Sequence, residues 1–256
     1  MFSDQMVAFK TIVRREVTRF TRIWSQTLLP PVVTQSLYFV IFGKFIGSQI
    51  GDIHGVSYIS FIVPGLVMMA VISNSFGNVV SSFFSSKFQR SIEELLVSPT
   101  ANWIIVAGYV ARGMLRGVTV GILVFLVSFF FTSPTIQHPF IIVLFIVLTS
   151  VVFSLAGLVN AVFAKSFDDI SIFPTFVLTP LTYLGGVFYS IQSLPQVWQT
   201  VSYFNPILYM VNGFRYGFYG FTDVHLGGSI FILIIFTIIL VYVNLYLLRK
   251  GTGLKN

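Results

Sequence analysis

Long apolar runs separated by short polar breaks constrain this chain more than any other feature. They fall at about residues 25–45, 56–80, 103–131, 140–163, 170–189 and 228–248. A bilayer core of about 30 Å needs about 20 apolar residues of α-helix per crossing. Lipid offers the backbone no hydrogen-bond partner, so such runs must satisfy their own polar groups and become helices. The expected fold is an all-α membrane protein with six transmembrane helices. Composition agrees: 55% of the 256 residues are hydrophobic and 9% charged, against about 25% charged in soluble domains. Six spans leave no room for a large soluble domain, so residues 1–256 read as one transmembrane domain. Cysteine is absent, which excludes disulfides, iron–sulfur clusters and thiolate metal sites.

Before the first run, residues 2–24 read as an amphipathic interfacial helix. At 100° per residue Met6, Phe9, Ile12, Val13, Val17, Phe20, Ile23 and Trp24 share one side, with Lys10, Arg14, Arg15, Arg19 and Arg22 opposite. Such a helix lies on an anionic leaflet. Glu16 projects from the apolar side, and no role follows for it. A signal peptide would show a short basic region, an apolar run and a small-residue cleavage site, and this segment does not. Pro30-Pro31 should kink the entry to the first span.

The second run holds Pro64-Gly65 and a polar row, Asn74, Asn78 and Ser81 or Ser82, at spacings that share a helix face. Polar groups in lipid face protein or a cavity. The row is therefore either helix–helix glue or part of a substrate path; Asn74 and Asn78, with Tyr183 further on, are the path candidates. Arg112 and Arg116 stand one turn apart in the third run. Either that helix emerges early and both sit at headgroups, or they face the bundle and pair with acids.

Between the second and third runs lies KFQRSIEELLVSP, residues 87–99. Ser91 followed by Glu94 fits a capping box. Glu93 and Glu94 suit the positive end of the helix dipole. Ile92, Leu95 and Leu96 form an apolar face, and Pro99 ends the helix. This is a short amphipathic helix in water, and its face must lie on headgroups, on the same chain or on a soluble partner.

Residues 190–220 are too broken and too polar to cross, and should dip into the membrane and return as an outer re-entrant hairpin. Leu194-Pro195, Trp198, Asn205-Pro206 and Arg215 fall here. Trp198, Tyr203, Tyr209, Tyr216 and Tyr219 suit an interfacial aromatic belt or stacking on sugar rings. Asp168 and Asp169 stand before an apolar run and read as helix caps.

Basic residues set the orientation. Lys10, Arg14, Arg15, Arg19, Arg22, Lys87, Arg90, Lys165, Arg249, Lys250 and Lys255 fall on one side, and only Lys44 and Arg215 on the other. Both termini and the 87–99 segment are expected in the cytoplasm, with His54, His138 and His225 outside. The net charge of +7 is thus a topology signal rather than a nucleic-acid surface. Metal-ligand spacing is absent, as are a phosphate-binding G-x-x-x-x-G-K-[ST] loop, a dinucleotide fingerprint and a hydrolase elbow. The chain should hold no metal, no cofactor and no ATP of its own, and have no catalytic residues.

Glu94, Leu95, Leu96 and Pro99 give the E-L-L-x-x-P pattern that resembles the coupling helix of type-2 ATP-binding-cassette (ABC) exporter permeases. The stretch TPLTYLGGVFYSIQSLP, then Trp198, Asn205-Pro206 and Arg215, resembles that family's outer re-entrant helices. The resemblance implies a bacterial inner-membrane permease working as a homodimer. Two separate ATP-binding subunits would dock at Ser91, Ile92, Glu93, Glu94, Leu95, Leu96 and Pro99. It also implies export of an amphipathic, lipid-linked, polysaccharide or drug-like cargo. Competing readings are a lipid-modifying enzyme built on Asp168, Asp169, Arg112 and Arg116, and an ATP-independent channel.

Overall fold

The computed structural model describes residues 22–92, 100–251 and 253, together with positions 6, 7, 10, 11, 13, 14 and 18. Glu93, Glu94, Leu95, Leu96, Pro99 and Glu16 lie outside the described residues, as does most of the expected interfacial helix, whose described positions before Ile23 are helical. Among the described residues every regular element is helical, apart from one isolated bridge between Ile53 and Val56.

Among the described residues five helices are long and apolar enough to cross a bilayer: α1 (Trp24–Ile46), α2 (Tyr58–Phe88), α3 (Asn102–Ser128), α4 (Pro139–Phe163) and α8 (Leu226–Lys250). Between the last two lie α5, residues 169–183, and the shorter α6 (Gln196–Tyr203) and α7 (Pro206–Tyr219). The run expected to span 170–189 is therefore helical only as far as Tyr183. At 1.5 Å per residue it rises about 22 Å, short of a full crossing.

α2 is the axis of the bundle. It is buried along most of its length, whereas α1 and α8 turn most of their surface outward. Its 31 residues make about 46 Å of helix, running eight residues past the expected end at Val80. Phe83 and Phe84 are still buried there, and their packing carries the helix onward. α3 approaches closely through Gly113, Gly117 and Gly121, one helical turn apart. A Cβ on Gly117 would collide with Ser75 Oγ, and one on Gly121 would stand 2.6 Å from Val71 Cγ2. Small residues at this spacing let membrane helices pack backbone to backbone. Phe61, Leu66, Met68, Phe76, Phe145, Phe214 and Phe218 fill the main core.

Prolines interrupt the helices, and side chains repair the breaks. Pro64 has no N–H for Ser60 O; the Tyr219 hydroxyl donates to that carbonyl at 2.7 Å. Pro174 likewise frees Ile170 O, which Asn160 Nδ2 approaches at 3.5 Å. From Pro174 to Leu178 the turns of α5 widen to π-type, and Thr179 Oγ1 donates to Pro174 O at 2.9 Å. In α1 the break comes at Leu28, and Pro30 and Pro31 occupy the first turn of the segment after it, where a missing N–H costs little. A π-type stretch from Phe39 ends the helix at Ile46.

Candidate coupling and translocation site

At the end of the bundle where the 87–99 segment begins, α2 stops in a turn whose Arg90 has φ 59. Ser91 Oγ donates to Ser86 O at 3.2 Å. Ile92 is buried, packed with Phe84, Tyr109, Leu158, Val162 and Leu248. Of the three places its apolar face had available, Ile92 therefore lies on its own chain. Lys87 reaches across to the end of α4, where Nζ donates to Val162 O at 2.9 Å and Ala164 O at 2.7 Å.

The α3 arginines face protein, not headgroups. Arg112 is buried with its guanidinium 4.7 Å from the Tyr109 ring centre, and Arg116 Nη2 donates to Thr27 O at 3.3 Å. The cap before α5 is a reciprocal pair: Ser166 Oγ accepts the Asp169 N–H at 3.1 Å, while the Asp169 carboxylate accepts N–H groups of Lys165 at 2.8 Å and Ser166 at 3.0 Å. These bonds, that from Lys165 first, hold the Asp169 carboxyl below the usual carboxylate range. Asp168 makes no side-chain cap bond, so the capping expected of both acids falls to Asp169.

Beside the start of α5 an open groove of about 270 Å³ separates it from α2, lined by Gly77, Val80 and Ser81 on one side and Ile170, Ser171, Pro174 and Thr175 on the other. The polar row divides here. Asn78 and Ser82 turn inward and are buried. Asn74 is half-buried and donates to Ala70 O of its own helix at 2.9 Å. Ser81, exposed, donates to Gly77 O at 2.8 Å. Tyr183 does not join them. It stands at the far end of α5, its hydroxyl 3.2 Å from that of Tyr38.

The end of the bundle at α7, outer in the expected orientation, is rich in buried polar groups. Arg215, expected as a loop charge, is fully buried. Its Nη2 donates to Gly186 O at 2.7 Å, and its guanidinium lies 3.9 Å from the centre of the Phe61 ring. Asp223 supplies the opposite charge. Its carboxylate accepts the Ser190 hydroxyl at 2.9 Å and the Ile191 N–H at 3.0 Å, and its own N–H donates to buried Asn212 at 3.1 Å. Asp223 and Asn212 escaped the sequence reading. A lone acid a few residues past a helix that carries an arginine was the available signal.

Asn205 caps α7 by accepting the Ile207 N–H at 3.0 Å and donates to Leu181 O at 2.6 Å, with Pro206 in the first turn. Trp198 on α6 is exposed beside Val197, Val201 and Phe204. Tyr219 is a core residue and leaves the expected aromatic belt. Each histidine has a local contact: His54 Nε2 lies 3.7 Å from Asp223 Oδ1, His138 stacks on Tyr216, and His225 Nδ1 accepts the Gly228 N–H.

Bilayer-length helices around a nearly buried axis, with a polar groove beside that axis, define a polytopic membrane protein. The chain belongs to the ABC-2 type transporter family, whose model matches residues 7–219. It is 56% identical over 250 residues, 98% of each chain, to the inner membrane transport permease YadH of Escherichia coli (strain K12). It is 24% identical over 248 residues, 93% of this chain and 91% of the relative, to Nodulation protein J of Rhizobium meliloti (strain 1021). It is thus a membrane permease subunit of the ABC-2 kind, a family that normally pairs with an ATP-binding subunit.

Proposed function

We propose that this chain is the permease of an ATP-driven exporter of the bacterial inner membrane, working as two copies with two separate ATP-binding subunits. The observation that carries the reading is the over-length α2, whose 31 residues exceed what a core of about 30 Å requires. Its last turns lead directly into the 87–99 segment, where the subunit that binds ATP docks on Glu93, Glu94, Leu95 and Leu96, with Ser91 and Pro99 setting the ends. The relative in Escherichia coli is an inner membrane protein by name, and the basic residues put both termini in the cytoplasm.

In this reading α5 together with the following turn at 184–189 makes the fifth of six crossings, and α6–α7 form the outer re-entrant hairpin. The cargo path runs along the α2–α5 groove, past Asn74 and Asn78 toward Tyr183. The groove offers hydroxyls and no charged side chain, which suits the uncharged headgroup of an amphipath. About 270 Å³ is small for a whole amphipath, so two copies together would form the route. ATP binds and is hydrolysed on the partner, and this chain holds no cofactor or metal.

The absence of cysteine makes the test direct. A single cysteine in Leu95→Cys, in membranes containing co-expressed ATP-binding subunits, is expected to crosslink to one of them in an ATP-dependent manner. A cysteine that reacts freely with water-soluble reagents and never meets a partner would instead support the channel or enzyme reading.

A further inference from the structure

Three helix ends meet at one point at the end of the bundle where the 87–99 segment begins. Lys87, one residue from the end of α2, spans to the last turn of α4 and gives its ammonium to Val162 O and Ala164 O. Carbonyls at a helix C-terminus lack intrahelical partners and carry the negative end of the dipole, so a cation is favoured there. Past α8 the chain crosses the same spot, since a Cβ on Gly253 would stand 2.6 Å from Val162 O. Below this point Phe84, Ile92, Val162, Ala164 and Leu248 form one apolar cluster. Apolar contacts are non-directional and can slide. Two charge-assisted hydrogen bonds to the backbone of a rigid helix are directional and stronger than neutral ones.

We propose that Lys87 is the positioning residue that passes displacement of the 87–99 segment into α4, and through that junction into α8. Without it, α4 would be driven only through its packing on α2, which is close at Gly157, where a Cβ would stand 2.7 Å from Phe76 O, and its cytoplasmic end would not be held to the segment. This rests on the proposed pairing with an ATP-binding subunit. When that subunit pulls the segment, the end of α4 follows because its terminal carbonyls are held by the ammonium. A lysine serving only as a helix cap would contribute stability and leave the motion of α4 unchanged.

The test places a spin label at Phe140→Cys, an exposed position at the opposite end of α4, in the permease–ATPase complex in lipid nanodiscs. Its accessibility to a water-soluble relaxant is compared without nucleotide and after vanadate trapping with ATP. The label is expected to shift on trapping with Lys87 or Lys87→Arg present, and with the control Lys165→Met. Lys87→Met is expected to lose the shift while the complex still hydrolyses ATP. Should Lys87→Met fail to assemble, Lys87→Gln, which is shorter and uncharged, takes its place with the same expectation. A full shift in the uncharged variant, or no shift with Lys87 itself in a hydrolysing complex, overturns the proposal. If no ATP-binding subunit pairs with the unaltered chain, the exporter reading falls instead, and the Leu95→Cys crosslink reports that separately.

Discussion

The two ends of the bundle are held together in different ways. At the outer end many buried polar bonds tie α7 and its flanks to the spans. Arg215 holds Gly186, Tyr219 holds Ser60, Asn205 holds Leu181, and Asp223 gathers Ser190, Ile191 and Asn212. At the inner end the apolar cluster is broad, and between the ends of α2 and α4 the structure shows two bonds, both from Lys87. Buried polar bonds that draw on several separate stretches of chain restrain those stretches together, although Arg215 Nε and Nη1 have no hydrogen-bond partner there. Among the described residues the bonds at the inner end are fewer and join separate helix pairs, Lys87 to α4, Tyr109 of α3 to Ser86 of α2 and Asn244 of α8 to Leu155 of α4, so it can be displaced and still hold. Several bonds at the outer end thus tie α7 and its Asp223 flank to the 184–191 turn, and under the proposed function the driving motion would enter from the other end.

The largest effect should come from Arg215→Met. It removes the charged donor to Gly186 O and the cation over the Phe61 ring, and the lost charge-assisted bond with the stranded carbonyl costs about 3 kcal/mol. Heat-unfolding in detergent should fall sharply and little folded protein should reach the membrane. A well-folded Arg215→Met protein would mean that the outer end does not depend on its ionic group, and the contrast would collapse. Tyr219→Phe is a finer probe. It keeps the ring in the core and removes only the donor to Ser60 O, the carbonyl that Pro64 leaves open. An unsatisfied buried acceptor costs about 1–3 kcal/mol, so a clear drop in thermal midpoint is expected, with assembly retained.

Much of the architecture was legible because lipid permits so few solutions. Five of the six apolar runs became bilayer-length helices, since an uninterrupted apolar run in a bilayer has no alternative to helix. The fifth run is helical only from 169 to 183, with π-type turns from Pro174 to Leu178 and Pro180 in the first turn of the closing α-helical segment. Composition registers apolarity but not where proline removes a donor. Gly113, Gly117 and Gly121 were visible at helical spacing, yet their meaning depends on Ser75 and Val71 standing opposite. Arg215 was read by its charge and its place in a broken segment. Its burial depends on Phe61, Gly186 and Asp223, which come from three separate stretches of chain. Asn74 and Asn78 stand one turn apart, yet Asn78 is buried and Asn74 half-buried, and a residue-spacing argument cannot see which of them has a neighbour.

The smallest effect expected is at Arg90, and it tests whether the inner end is joined at Lys87. Arg90 ends α2 with φ 59, a left-handed conformation that costs a residue with a side chain roughly 1–2 kcal/mol. Glycine adopts it freely but loses more entropy on folding. The two effects partly cancel, leaving Arg90→Gly more stable by less than about 1 kcal/mol. A slightly raised thermal midpoint, with the Phe140 label still shifting on nucleotide trapping, is the expected result. Arg90 is exposed and its N–H already closes the turn onto Lys87 O at 3.0 Å, so its side chain has nothing to transmit. A lowered midpoint together with a lost shift would place a second joint three residues beyond Lys87, and the inner end would then resemble the outer one.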